Sequence, residues 1–266
     1  MKKSVYFVLT TFIGLGILLF SSCEKKPVGG SQEPAGKLKF NFEHYVDGSP
    51  VVINAMNYTN AAGNQYLIYE VQYFVTDLVI YKHDGSSKMI KDWTDYHYVD
   101  TNIPSTLLWE VYDSIPIGTY DSIAFHFGFT DSKNISDMFS YIPESNMLWT
   151  EPDGGGYHYM KINGKWLDTN NSTRGFAFHL GRGQHYDTSG HPIPPYIDNS
   201  FRVSLPGSDF TIDDGKTTEI TIRMNIEKWF KEPNIYDHNQ WGGDIMENQP
   251  AIKLATENGW NVFSVN

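Results

Sequence analysis

The stretch Tyr69-Glu70-Val71-Gln72-Tyr73-Phe74-Val75 sets large apolar side chains at Tyr69, Val71, Tyr73 and Val75, with polar Glu70 and Gln72 between them. Successive side chains of a β-strand point to opposite faces, so this period of two predicts a strand with one face in a core. Leu38, Phe40 and Phe42 repeat the pattern early in the chain, and Ile220, Ile222, Met224 and Ile226 repeat it late. Further strands are expected over Ser122 to Phe129, Tyr157 to Ile162, Gly175 to Leu180 and Phe201 to Leu205. Turn-forming segments such as Ile117-Gly118-Thr119 and Asp213-Asp214-Gly215-Lys216 separate them. Strands with no regular helix between them predict antiparallel pairing. Aromatic residues are 15% of the chain, enough to fill the space between two sheets. The expected fold is an all-β, antiparallel two-sheet β-sandwich of immunoglobulin-like or Greek-key type. One short C-terminal helix is predicted over Gln249 to Glu257, with Pro250 in its first turn and Asn258-Gly259 as its stop. Two long loops, Asp131 to Gly156 and Arg182 to Asn199, are the expected seat of function.

The N-terminus reads as an address. Lys2 and Lys3 precede a mostly apolar run from Val5 to Phe20, and Ser21-Ser22-Cys23 follow. The run is too short for a stable membrane span. Leu19-Phe20-Ser21-Ser22-Cys23 resembles the lipobox of bacterial lipoproteins, which implies cleavage before Cys23 and a lipid on its thiol. Residues 1–22 are therefore expected to be a signal peptide, 23–36 a flexible tether rich in Gly, Pro and charge, and 37–266 one folded domain. The expected location is the cell envelope, on the periplasmic or surface face of the outer membrane, with the Cys23 lipid as the membrane partner. Loss of Lys2 and Lys3 leaves 18 basic against 31 acidic side chains, a net charge of −13. That balance argues against nucleic acid as a partner.

Cys23 is the only cysteine, so the folded part has no thiolate for zinc, redox or nucleophilic chemistry. The G-x-S-x-G, H-E-x-x-H, P-loop and dinucleotide-binding patterns are also missing. The expectation is a protein that is not an enzyme. Histidine is the informative residue, and His44, His126, His158 and His179 lie in or beside predicted strands. His126 alternates with Phe125, Phe127 and Phe129, and His179 with Phe176 and Phe178, so if the phenylalanines face the core these two face outward. His158 shares parity with Met160 and Ile162, which would turn it inward. Any metal in the domain would have to be held by imidazole, thioether, carboxylate or carbonyl groups, and Met147 and Met160 supply thioethers near His158 in sequence. Asp131, Asn134 and Asp137 crowd one loop that could fold around calcium through oxygen ligands, although turn formation by Asp and Asn accounts for the same residues.

The order of several segments adds to this. Phe40-Asn41-Phe42-Glu43-His44 opens the domain, and Ile123-Ala124-Phe125-His126-Phe127-Gly128 lies in its middle. Asn146-Met147-Leu148-Trp149, Gly156-Tyr157-His158-Tyr159-Met160-Lys161-Ile162-Asn163-Gly164 and Phe178-His179-Leu180-Gly181 follow. With Ile245-Met246-Glu247-Asn248-Gln249 and Glu257-Asn258-Gly259-Trp260 near the end, the chain resembles the MbnP-like family of copper-binding envelope proteins. The resemblance implies a β-sandwich and a mononuclear copper site of histidines beside a tryptophan that a di-haem peroxidase-like partner oxidises to kynurenine. Carried over by position, His179 is the first ligand candidate, His158 the second, and Trp149 the tryptophan to be modified or to approach the metal. The chain departs from the family where it continues Trp149-Thr150-Glu151-Pro152-Asp153-Gly154, since members often have a second tryptophan shortly after the first. A metal transporter is the other partner class that fits storage or transfer. The competing reading is a carbohydrate- or protein-binding module using exposed rings at Trp93, Trp149, Trp166 and Trp241, with no metal role.

Overall fold

A computed structural model describes residues 33–266. Residues 1–32, which include the predicted leader and Cys23, lie outside the described residues. The described strands are β1 (Ala35–Val46), β2 (Ser49–Pro50), β3 (Tyr58–Thr59), β4 (Gln65–Lys82), β5 (Ser87–Met89), β6 (Tyr96–Asp100), β7 (Leu108–Pro116) and β8 (Gly118–Phe127). They continue with β9 (Met160–Leu167), β10 (Thr173–Leu180), β11 (Gly183–Tyr186), β12 (Pro192–Ile197), β13 (Phe201–Ile212), β14 (Thr217–Asn225) and β15 (Phe263–Val265). Two helices, α1 (His238–Trp241) and α2 (Gln249–Asn258), fall near the end. No helix among the described residues is long and apolar enough to cross a membrane.

The strands form the expected all-β sandwich. The smaller sheet runs β15-β14-β1-β2, with β7 also paired to β1. The larger runs β10-β9-β4-β8-β13, with β3, β5 and β6 also on β4. All pairings are antiparallel except one: β1 and β14 run parallel from Lys37↔Thr217 to Tyr45↔Asn225. The rest of the sandwich connects these two strands, so no hairpin fixes their relative direction. The core lies between the sheets, where Leu38, Phe40 and Phe42 of β1 and Ile220, Ile222 and Met224 of β14 are all buried. Tyr73 of β4 closes the gap, with its ring centroid 6.3 Å from Phe42, 6.3 Å from Phe127 and 5.9 Å from Phe263. Such aromatic pairs each add about 0.5–1.5 kcal/mol beyond the area they bury.

Three sequence expectations are corrected. The period of two in β4 does not run through Tyr69: Tyr66 and Ile68 are buried, then the register with β9 shifts between Ile68 and Glu70, and Val71, Tyr73 and Val75 are buried. A β-bulge inserts one residue and re-aims its neighbours, which here leaves both Tyr69 and Glu70 out of the core. The tether ends sooner than expected, because β1 begins at Ala35 and its carbonyl accepts from Gly215 N at 2.9 Å. A Cβ on Gly36 would stand 2.5 Å from the Asp213 carbonyl oxygen, so these residues are packed. The segment Arg182 to Asn199 is not a plain loop but carries the two-stranded ribbon β11-β12. Pro192, Pro194 and Pro195 masked β12 in the sequence, since proline lacks the N–H of a ladder and is tolerated only on edges.

Helix α2 starts where predicted and runs one residue further, through Asn258, and Asn248 caps it by accepting from Ala251 N at 3.2 Å. Gly259 is required for a reason other than a left-handed stop: its φ is −64°, and a Cβ there would overlap the Phe201 ring.

Candidate metal centre

Strands β9 and β10 pair with His179 opposite Lys161 and Phe178 opposite Ile162. Phe176, Phe178 and Ile162 are buried in the core, so the alternation turns His179, Lys161 and Asn163 to the outer face, as parity predicted for His179. His158 is buried, as its parity with Met160 and Ile162 predicted. It lies before β9 begins, tied to the long loop by its N–H donating to Met147 O at 2.7 Å. From there its ring meets His179 edge to face at a centroid distance of 5.0 Å.

Hydrogen bonds fix which nitrogen of each ring carries the proton. His158 Nδ1 is 3.0 Å from the Met147 carbonyl oxygen, which only accepts, so Nδ1 donates. His179 Nε2 is 2.9 Å from Asn163 Oδ1. The Asn163 amide is oriented by its own Nδ2 donating to Glu70 Oε2 at 2.6 Å, so Oδ1 accepts and His179 Nε2 donates. The basic nitrogens left are His158 Nε2 and His179 Nδ1, and both are buried without a partner. Glu70 stands opposite Asn163 because of the bulge in β4. The irregularity that broke the sequence pattern therefore supports the row Glu70, Asn163, His179, His158.

Both rings are neutral. Burial, and after it the nearby Lys161 ammonium, holds His158 well below the usual imidazole range. The same two causes, in the same order, bring His179 to about 4. Lys161 is half-buried and donates to Asn146 O at 2.6 Å, which keeps its charge beside the pair.

Trp149 forms the other wall. It is 0% exposed and meets His158 edge to face at 4.6 Å. Its Nε1 donates to Asp153 O at 3.1 Å, inside the short turn Glu151–Asp153 that ends at Gly154 with φ +111°. The segment that replaces the expected second tryptophan thus clamps the indole. A Cβ on Gly181 would lie 2.5 Å from Trp149 Cε3, so only glycine lets β10 end against this ring.

The family model for MbnP matches residues 35–247. The chain belongs to the MbnP family. Among solved structures, MbnP from Methylosinus trichosporium has the same fold, with a TM-score of 0.55, 17% identity, and coverage of 86% of this chain and 98% of that one. No curated protein sequence is similar enough to add to this comparison.

In this MbnP domain the other predicted site residues are elsewhere. His44 faces the interior with its ring 5.7 Å from Tyr73, and burial lowers it to about 4. His126 is held on β8 by Ser200 Oγ at 2.7 Å. Met147 offers the site its carbonyl, while its side chain belongs to the core. No group of three His, Cys, Asp or Glu side chains is placed to hold a metal among the described residues. At the loop weighed for calcium, a protein cation is present. Arg182 donates to the carbonyls of Gly154 (2.6 Å), Asn134 (2.9 Å) and Asp131 (3.2 Å), and pairs with the Asp131 carboxylate at 2.8 Å. Asn134 Oδ1 is taken by Tyr157 N at 2.7 Å, and Asp137 is exposed in a turn at φ +61°. Of the four tryptophans read as a platform, Trp149 and Trp166 are buried, Trp241 is half-buried, and Trp93 is exposed. Sequence reasoning missed Asn163, Glu70 and Lys161 as parts of the site. The signal was their shared outward parity on β9, with Glu70 hidden by the bulge.

Proposed function

We propose that this MbnP-family protein is a non-catalytic envelope protein that holds a copper ion between His158 and His179 for storage or transfer. The observation that supports it is the pair of orphaned basic nitrogens. Two neutral imidazoles with their protons donated to Met147 O and Asn163 Oδ1 leave two buried lone pairs on rings whose centroids are 5.0 Å apart. A buried polar atom with no partner is costly, and a bound cation would relieve both. Copper accepts imidazole nitrogen readily, and no cysteine competes in the domain. The Lys161 charge favours neutral rings, which are the ligating form, and Asn163 with Glu70 sets the orientation of His179.

Trp149 stands where a third donor would arise if it were oxidised, as the resemblance implies. The proposed maturation partner is a di-haem peroxidase-like enzyme, and intact mass of natively expressed protein reads that step out directly. The protein is proposed to be exported and anchored by a lipid on Cys23, which the same mass measurement registers. For the copper site, competition between the full chain and a copper(I) chelator is the test. Expected is retention by the native protein and loss in both His158→Ala and His179→Ala. Unchanged retention in either variant would remove that histidine from the site.

A further inference from the structure

Away from the histidine pair, the two sheets part along one edge. There β6 pairs only with β4 and β7 only with β1. Between them is a cleft of about 470 Å³, within the size range of small-ligand sites. Five of its twelve lining residues are Trp or Tyr, none is Lys or Arg, and the two carboxylates are Glu110 and Glu144.

Its rim is built. Trp93 and Tyr112 are 77% and 71% exposed, yet their rings pack on each other at 5.6 Å. The turn that carries Trp93 is held by the buried Asp113 carboxylate, which accepts from Lys91 N at 3.1 Å and Asp92 N at 3.2 Å and pairs with Lys88 at 2.9 Å. A buried charge thus fixes a turn that displays an indole to water. Tyr96 is equally fixed, with its ring 5.0 Å from Phe139. Burial, and then the Glu144 charge, push its hydroxyl up, so it stays a donor.

We infer that this cleft binds a neutral saccharide, with a sugar face on Trp93 and Tyr112 and its hydroxyls meeting Glu110, Glu144 and Tyr96. Flat exposed rings match the apolar face of a pyranose, and carboxylates accept from hydroxyls. An anion is disfavoured by the two carboxylates and the lack of any basic lining residue. The same two carboxylates would attract a cation, but the outer rings, open to water, give it only weak cation–π attraction. The site is independent of the histidine pair and stands whether or not copper binds there.

The test is titration of the full chain with neutral β-1,4- and α-1,4-linked gluco-, xylo- and manno-oligosaccharides, followed by tryptophan fluorescence and NMR. Tetramethylammonium serves as the cation probe. Expected is saturable binding of at least one series at millimolar concentration or below. Trp93→Ala and Tyr112→Ala should each weaken it about tenfold, as loss of a stacking ring does. Both side chains are largely exposed, so the variants should fold, and His158→Ala should bind as the native protein does. Absence of binding by every series, binding unaffected by Trp93→Ala, or tighter binding of tetramethylammonium would each overturn the inference.

Discussion

Gly181→Ala is the sharpest probe of how the site is assembled. The added methyl would lie 2.5 Å from Trp149 Cε3 and 2.6 Å from Cζ3. Trp149 cannot easily yield, because its Nε1 is bound to Asp153 O and its edge meets the His158 ring. Overpacking a filled interior by a methyl costs about 1–3 kcal/mol, and the rigidity here points to the upper half of that range. Gly175 lies in β10, the strand that Gly181 follows, with nothing within 4 Å of its would-be Cβ, so Gly175→Ala should stay within about 0.5 kcal/mol of the native protein. Urea unfolding of the full chain, compared at equal slope, gives both numbers. Trp149→Phe in the Gly181→Ala background should recover part of the loss, a non-additivity expected of residues in contact. Equal stabilities of the two alanine variants would refute the packing argument, as would simple additivity with Trp149→Phe.

Other outcomes follow from the same geometry. His238 is fully buried among aromatic rings with neither ring nitrogen partnered, and burial holds it at about 3. Because the unfolded chain binds this proton at 6.5, native stability falls as pH drops below 6.5, by about 2 kcal/mol for this group near pH 5. His238→Phe should remove that share, so its advantage over the native protein in thermal melts must grow towards acid; parallel pH curves would contradict it. Arg182→Met should destabilise by about 2–4 kcal/mol by leaving three carbonyls and the Asp131 carboxylate without their cation. Calcium should not raise the melting temperature of the native protein, and a calcium-dependent rise would reopen that loop as a cation site. Asn163→Ala frees His179 Nε2 and removes the contact that selects its tautomer, so copper affinity should fall about 10–100-fold while the fold persists in circular dichroism.

Alternation made β1, β14 and the outward face of His179 legible, because each sits in an unbroken ladder with one face in the core. It failed at Tyr69, because period-two logic holds only while the ladder does and a bulge interrupts β4 there. It turned His158 inward correctly but gave no sign of the meeting with His179, since His158 lies before β9 has begun. The role of Arg182 in the loop of Asp131 and Asn134 was hidden because it is remote from them in sequence and reaches them only in the folded chain. Burial of Trp149 but exposure of Trp93 was equally hidden, since a tryptophan in a loop looks alike whether the loop folds over it or presents it. The parallel pairing of β1 with β14 had no local signal, because registers between distant strands are set by the whole sandwich.

Copper held by His158 Nε2 and His179 Nδ1 would leave an atom-specific signature in nitrogen NMR of the histidine rings, recorded on the full chain with copper(I) added without oxygen. The account predicts that His158 Nε2 and His179 Nδ1 shift together as copper binds, while His158 Nδ1 and His179 Nε2 keep their protons. Shifts confined to other rings such as His44 or His126, or an unchanged His158 and His179 pair in the presence of bound copper, would contradict it.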